Sequence, residues 1–149
     1  MIDDLYSARI LSLAAHLPRS GRLAAPSGSA EKVSKLCGSR AVVDVVVEDG
    51  RVVDYAQEVK ACALGQAVAS IVGEHAIGAS VEELENARDQ LRDMLKSDGP
   101  EPSGRFADLK LLAPVKGYPA RHASTLVAIE AAAEAARLAV SRTSTADAA

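Results

Sequence analysis

Cys37 and Cys62 are the only thiols in this 149-residue chain, and the residues between them bring the two toward one place. Two apolar, β-branched runs, Ala41 to Glu48 and Arg51 to Val59, meet at Asp49-Gly50, a dipeptide that favours a tight reversal. A two-residue turn there sets Cys37 opposite Cys62, and a ladder reaching that far would hold their Cβ atoms roughly 4.5–5.5 Å apart. The apolar faces, Val43, Val45 and Val47 against Val53, Tyr55 and Val59, align better around a three-residue loop. The register therefore stays open, but either choice leaves the thiols within one residue of opposition.

Each cysteine has neighbours that suit chemistry. Cys62 follows Lys60, and Leu64, Ala67, Val68, Ile71 and Val72 switch the apolar period from 2 to 3.6, so a helix starts at or just after Cys62. First-turn N–H groups and a nearby cation both favour the thiolate, the form that attacks sulfur and binds metal. Cys37 lies in Lys35-Leu36-Cys37-Gly38, where Lys35 gives similar help and Gly38 admits close approach of a ligand or partner. A free cysteine can also be a small buried hydrophobe; the flanking lysines and the convergence weigh toward chemistry. His122, in Arg121-His122-Ala123-Ser124-Thr125-Leu126 at the start of a last helix, is the third candidate ligand. His16 and His75 fall inside helical patterns without ligand spacing and are read as structural. Glu82, Glu83, Glu85, Arg88, Asp89, Arg92 and Asp93 alternate in sign, the pattern of a solvated helix face. Paired catalytic carboxylates, a phosphate-binding glycine loop and a serine triad are absent from the sequence.

The elements that must position these residues are legible in outline. Ile2, Leu5, Tyr6, Ile10, Leu13 and Leu17 predict a first helix stopped by Pro18. Pro18 to Ser34 reads as a connection with one weakly marked strand near Ala30 to Val33. After the hairpin and the Cys62 helix, which ends near Gly78, Ser80-Val81-Glu82-Glu83 is a capping box for a helix carrying Leu84, Ala87, Leu91, Met94 and Leu95. Gly99 to Pro119 reads as a packed connection with a short helical turn. Leu126, Ile129, Ala133, Ala136 and Val140 form the stripe of the last helix, and residues 141–149 read as a disordered tail. The order implies one α+β domain, residues 1–140, with a small antiparallel three-stranded sheet and helices packed on one face.

Composition narrows the classes of partner. Seventeen basic and 20 acidic residues give a net charge of −3 with no basic block, and aromatics make up only 3%, so nucleic-acid binding is not expected. No run approaches the roughly 20 apolar residues that span a bilayer, and the start, Met1-Ile2-Asp3-Asp4, is acidic where a secretory leader is positive. The expected location is the cytoplasm, where cysteines are more often reduced, reactive or metal-binding than locked in a disulfide.

Leu5-Tyr6, the Cys37-Gly38 loop, the Asp49-Gly50 hairpin, the run Lys60-Ala61-Cys62-Ala63-Leu64-Gly65-Gln66-Ala67-Val68-Ala69-Ser70 and Arg121-His122 together resemble the U-type iron-sulfur cluster assembly scaffolds. These comprise IscU, SufU and the NifU N-terminal domain, and the resemblance covers Asp3 to Val140. It implies a SufE/IscU-like fold, a scaffold rather than an enzyme, and a cysteine desulfurase and recipient apoproteins as partners. It also implies that Cys37, Cys62 and His122 bind iron, a transient iron-sulfur cluster or a persulfide. The family's aspartate and third cysteine fall on Ser39 and Ala123. A [2Fe–2S] cluster wants about four ligands, so a partner, a small thiol or a second copy in a homodimer would have to complete the site. Two alternatives stand beside this reading: a zinc- or iron-binding module built on Cys37, Cys62 and His122, and a SufE-like sulfur acceptor.

Overall fold

The computed structural model describes residues 7–35 and 38–148, with side chains through Ser141. Its first helix, α1 (Ala8–Ala15), is capped by Ser7, whose Oγ accepts the Ile10 N–H at 3.3 Å. The chain turns out of it before Pro18, as the sequence predicts. Ile2, Leu5 and Tyr6 of the expected apolar stripe lie outside the described residues.

Strands β1 (Gly28–Val33), β2 (Arg40–Glu48) and β3 (Arg51–Lys60) form an antiparallel sheet in the order β1-β2-β3. Asp49 and Gly50 both take the left-handed conformation, φ 53° and 78°, that a two-residue primed turn requires. Next to the turn Glu48 pairs with Arg51 and Val47 with Val52, but Val46 pairs with Asp54. Val53 is thus an extra residue in β3. Both registers left open by the sequence are present, one on each side of this bulge. The bulge also corrects one assignment: Val53 is 44% exposed, and Val52 takes its place in the core.

β2 is the central strand, and Ala41 through Val45 are all buried. Alternation predicts Asp44 on a solvated face; instead its side chain is fully buried. The segment after Pro18 roofs that face. It bridges to β3 at Ser20 and Gln57, then reaches β1 where the Ser27 N–H donates to the Val45 carbonyl at 2.8 Å. Beneath it the Asp44 carboxylate accepts from Arg22 Nε at 2.7 Å, Arg22 Nη2 at 3.0 Å, the Leu23 N–H at 3.0 Å and the Ser29 hydroxyl.

On the opposite face lie α2 (Ala63–His75), α3 (Val81–Lys96) and α4 (His122–Ala148). The capping box forms as expected, with Ser80 Oγ accepting the Glu83 N–H at 3.1 Å and Glu83 Oε1 accepting the Ser80 N–H at 2.9 Å. Helix α4 packs against β1, β2, α2 and α3 together. Its expected single stripe is therefore too narrow: Val127, Ala128, Ala131, Ala132, Ala135 and Ala139 are buried as well. A Cβ added to Gly28 would stand 2.1 Å from the Ala135 carbonyl oxygen, so β1 lies directly on the helix backbone. The helix continues to Ala148, through the segment that composition sets apart as a tail. Between α3 and α4 the connection is more helical than predicted. It consists of 3-10 turns over Gly104–Gly117, broken at Phe106, and over Pro119–Arg121, with Phe106, Leu109, Leu112 and Val115 buried. Among the described residues no helix is long and apolar enough to cross a membrane.

Burial alone would raise the Asp44 pKa, but hydrogen bonds from Arg22, Ser29 and the Leu23 N–H outweigh it and hold the carboxyl below its ordinary value of 3.8. A carboxylate held low in the folded state stabilises the fold above its unfolded pKa, and that contribution is lost as the pH falls through the folded value. Urea midpoints measured from about pH 6 down to about pH 2 should fall steeply below the ordinary carboxylate range. Asp44→Asn should be less stable near neutrality and show a shallower acid limb; an unchanged limb would count against this role.

Candidate functional site

The pairing of β2 with β3 ends at Arg40 and Lys60, and α2 begins three residues later at Ala63. Cys62 therefore leaves the sheet as the N-cap of α2, in extended conformation with φ −64° and ψ 171°. The ladder does not run on to it. Its carbonyl accepts the Gln66 N–H at 2.9 Å, and Gln66 Oε1 turns back to accept the Ala61 N–H at 3.1 Å. This local lock fixes the direction in which the half-buried Cys62 side chain departs.

Cys37 lies outside the described residues, but the base of its loop does not. Val33 pairs with Arg40, which pairs with Lys60, so the 34–39 loop leaves the sheet at the end where Cys62 sits. The Ser34 N–H donates to the Ser39 carbonyl at 2.7 Å, and the Gly38 N–H donates to the Ser34 carbonyl at 2.8 Å. Gly38 takes φ 74°, and nothing lies within 4 Å of where its Cβ would be. Glycine serves the backbone turn there. Ser39, which stands where the family resemblance expects an aspartate, is buried.

The start of α4 forms the other wall. Ser124 Oγ lies 3.7 Å from Cys62 Sγ, and Ser124 is only 2% exposed. Helix α2 gets this close because residue 65 is glycine: a Cβ there would stand 2.7 Å from the Ser124 carbonyl oxygen and 2.7 Å from Ala61 Cβ. His122, 7% exposed, directs Nε2 to the Val115 carbonyl at 3.0 Å. A carbonyl only accepts, so Nε2 carries the proton and the lone pair of the neutral ring is on Nδ1. His122 and the exposed Ala123 border an open cavity of about 410 Å³ with Leu95, Lys96, Lys116 and Pro119.

The structure thus brings Cys62 to the first turn of α4, where Ser124 is its hydrogen-bond partner and His122 Nε2 is engaged by Val115. Among the described residues no three of His, Cys, Asp and Glu converge as a metal cluster. Sequence reading missed Ser124, although it stands two residues after His122 in a motif already singled out. Of the other histidines, His16 Nδ1 meets the Ser12 carbonyl at 2.8 Å, and His75 sits edge-on to Phe106 and 3.5 Å from Asp108.

Comparison with known proteins places this arrangement among relatives. Residues 5–125 match the family model described as the NifU-like N terminal domain. The iron-sulfur cluster assembly scaffold protein IscU of Thermotoga maritima is 31% identical over 117 residues, covering 78% of this chain and 82% of that protein. The crystal structure of a nitrogen-fixing NifU-like protein (N-terminal) from Brucella abortus superposes with a TM-score of 0.91 at 50% identity, covering 94% of this chain and 97% of that one. A putative SUF-system scaffold from Fervidobacterium islandicum AW-1 shares the fold, with a TM-score of 0.81 at 19% identity over 90% of this chain and 98% of that one.

At an open helical site, Gly→Ala would stabilise by about 0.5–1 kcal/mol. Gly65→Ala should instead destabilise by about 1–3 kcal/mol, because its methyl group must separate α2 from α4. Chemical denaturation reads the sign directly, and a gain in stability would refute the close approach.

Proposed function

Because the chain belongs to the NifU-like N-terminal domain family, we propose that it is an iron-sulfur cluster assembly scaffold, not an enzyme, that receives iron and sulfur on Cys62 and Cys37. The observation that carries this reading is the position of Cys62: half-buried, at the N-cap of α2, and at the end of the sheet from which the Cys37 loop departs. Free N–H groups in the first turn of a helix favour negative charge nearby. A thiolate, a persulfide and an iron-bound sulfur all bring such charge. His122 is the supporting ligand through Nδ1, the nitrogen that its bond to Val115 leaves open.

Sulfur arrives from a cysteine desulfurase. The Cys62 thiolate attacks the outer sulfur of the donor's persulfide, the donor's S–S bond breaks, and the donor cysteine leaves as a thiolate. Thiolate and imidazole ligands suit ferrous iron as well. The cluster is cargo, passed on to recipient apoproteins, and the protein works in the cytoplasm. Three protein ligands fall short of the about four that a [2Fe–2S] cluster takes. A partner, a small thiol or a second copy of the chain completes the set while the cluster is held.

Anaerobic reconstitution with ferrous iron and sulfide, followed by absorption spectroscopy, tests the reading. The wild type should develop sulfide-to-iron charge-transfer bands, Cys37→Ser and Cys62→Ser should lose most of that intensity, and His122→Ala should hold the chromophore less firmly. Wild type and cysteine variants that look alike and cluster-free would refute it. One equivalent of zinc retained without labile sulfide would instead favour a single-ion module.

A further inference from the structure

A second cavity, of about 440 Å³, lies between α3, α4 and β1 and shares no lining residue with the one beside His122. Most of the charged groups on its walls are already paired. Arg137 of α4 grips Glu85 of α3, Nε to Oε2 at 3.0 Å and Nη2 to Oε1 at 2.6 Å. Lys32 Nζ of β1 lies 3.1 Å from Glu134 Oε2 of α4. Glu130 is the exception. It is half-buried in the cavity wall, and among the described residues its carboxylate has no hydrogen-bond or ion-pair partner. Burial pushes its carboxyl above the ordinary value of 4.5, although Lys32, Lys96, Arg88 and Arg92 all pull the other way.

The arginines on the same walls have donors to spare. A guanidinium carries five N–H groups. Arg88 Nε and Arg92 Nη2 both donate to one oxygen of Asp89, at 2.9 and 3.0 Å, and Arg92 Nε lies 3.8 Å from Asp93. Both Nη groups of Arg88 and Nη1 of Arg92 are left over. We propose that this cavity binds a small zwitterion, a free α-amino acid, whose ammonium pairs with Glu130 and whose carboxylate pairs with Arg88 and Arg92.

Ligands of a single sign fit less well. A simple anion meets the carboxylates of Glu85, Glu130 and Glu134, and a simple cation meets Lys32, Arg88, Arg92 and Arg137. A molecule with both charges satisfies the unpaired carboxylate and the spare guanidinium donors together, through charge-assisted hydrogen bonds at each end. The volume is within the about 300–1,000 Å³ that small-ligand sites span. Ala133 and the exposed Leu138 supply the apolar part of the wall, so a short aliphatic side chain suits it. The proposal goes beyond the scaffold reading and uses none of its residues.

The test is a titration of the isotope-labelled full-length protein with L-alanine, followed by amide chemical shifts. Saturable shifts confined to residues around the cavity are expected, with a Kd of about 1 mM for so small a ligand. Propionate and ethylammonium, which each keep only one of the two charges, should bind at least about tenfold more weakly. L-alanine should lose affinity by a similar factor on Glu130→Gln, which keeps the side chain's shape, and on Arg88→Gln, which tests the carboxylate end. Shifts that do not saturate by about 50 mM, shifts scattered over the surface, or propionate or ethylammonium binding as tightly as L-alanine would overturn the proposal. So would variants that bind L-alanine as tightly as the wild type. The titration needs neither iron nor sulfide, so its failure and the failure of cluster assembly are read separately.

Discussion

Two glycines let the structure close around one helix backbone. Gly28 places β1 against the Ala135 carbonyl of α4, and Gly65 places the first turn of α2 against the Ser124 carbonyl. The first strand leads into the Cys37 loop, and the second helix follows Cys62, its N-cap. Any side chain at either position would push its element outward by the better part of an ångström or more. The alanines of α4 serve the same end, since small residues around its circumference let the sheet, α2 and α3 all reach it. Close packing, not a polar cluster, fixes where the Cys62 sulfur sits relative to the start of α4.

Polar groups tie the roofing segment to the sheet and the helices. Gln57 is buried and donates from Nε2 to the Pro18 and Ala69 carbonyls, each at 3.0 Å, joining the roofing segment to α2 through β3. Asp44 joins the same segment to β2 and β1. The helices lie on one face of the sheet, as the order of elements implies, and the opposite face is covered by a strap of irregular chain in place of solvent.

Much of this was legible in the sequence because it rests on local chemistry. The Asp49-Gly50 turn, the Ser80–Glu83 capping box and the change of period at Leu64 each depend on residues within a few positions of one another. What was not legible depends on contacts distant in the chain. The β-bulge at Val53 resolves a conflict between turn type and apolar alignment that no single register could satisfy. Asp44 reads as a solvated residue until Arg22, 22 positions earlier, is seen to cover it. Ser124 gained its meaning only when α2 and α4 met. His122 was legible as a candidate by its place at a helix start, but its described hydrogen bond runs to Val115; the direction of a side chain there is set by its surroundings and leaves no trace in a motif.

We propose that Cys62 holds inorganic sulfur together with iron. The most direct measurement is the iron and acid-labile sulfide content of protein isolated without exposure to oxygen, wild type beside Cys62→Ser. Iron and labile sulfide in matching amounts in the wild type, with both lost in the variant, is the expected result. Equal contents in the two proteins, or a metal bound without labile sulfide, would contradict it.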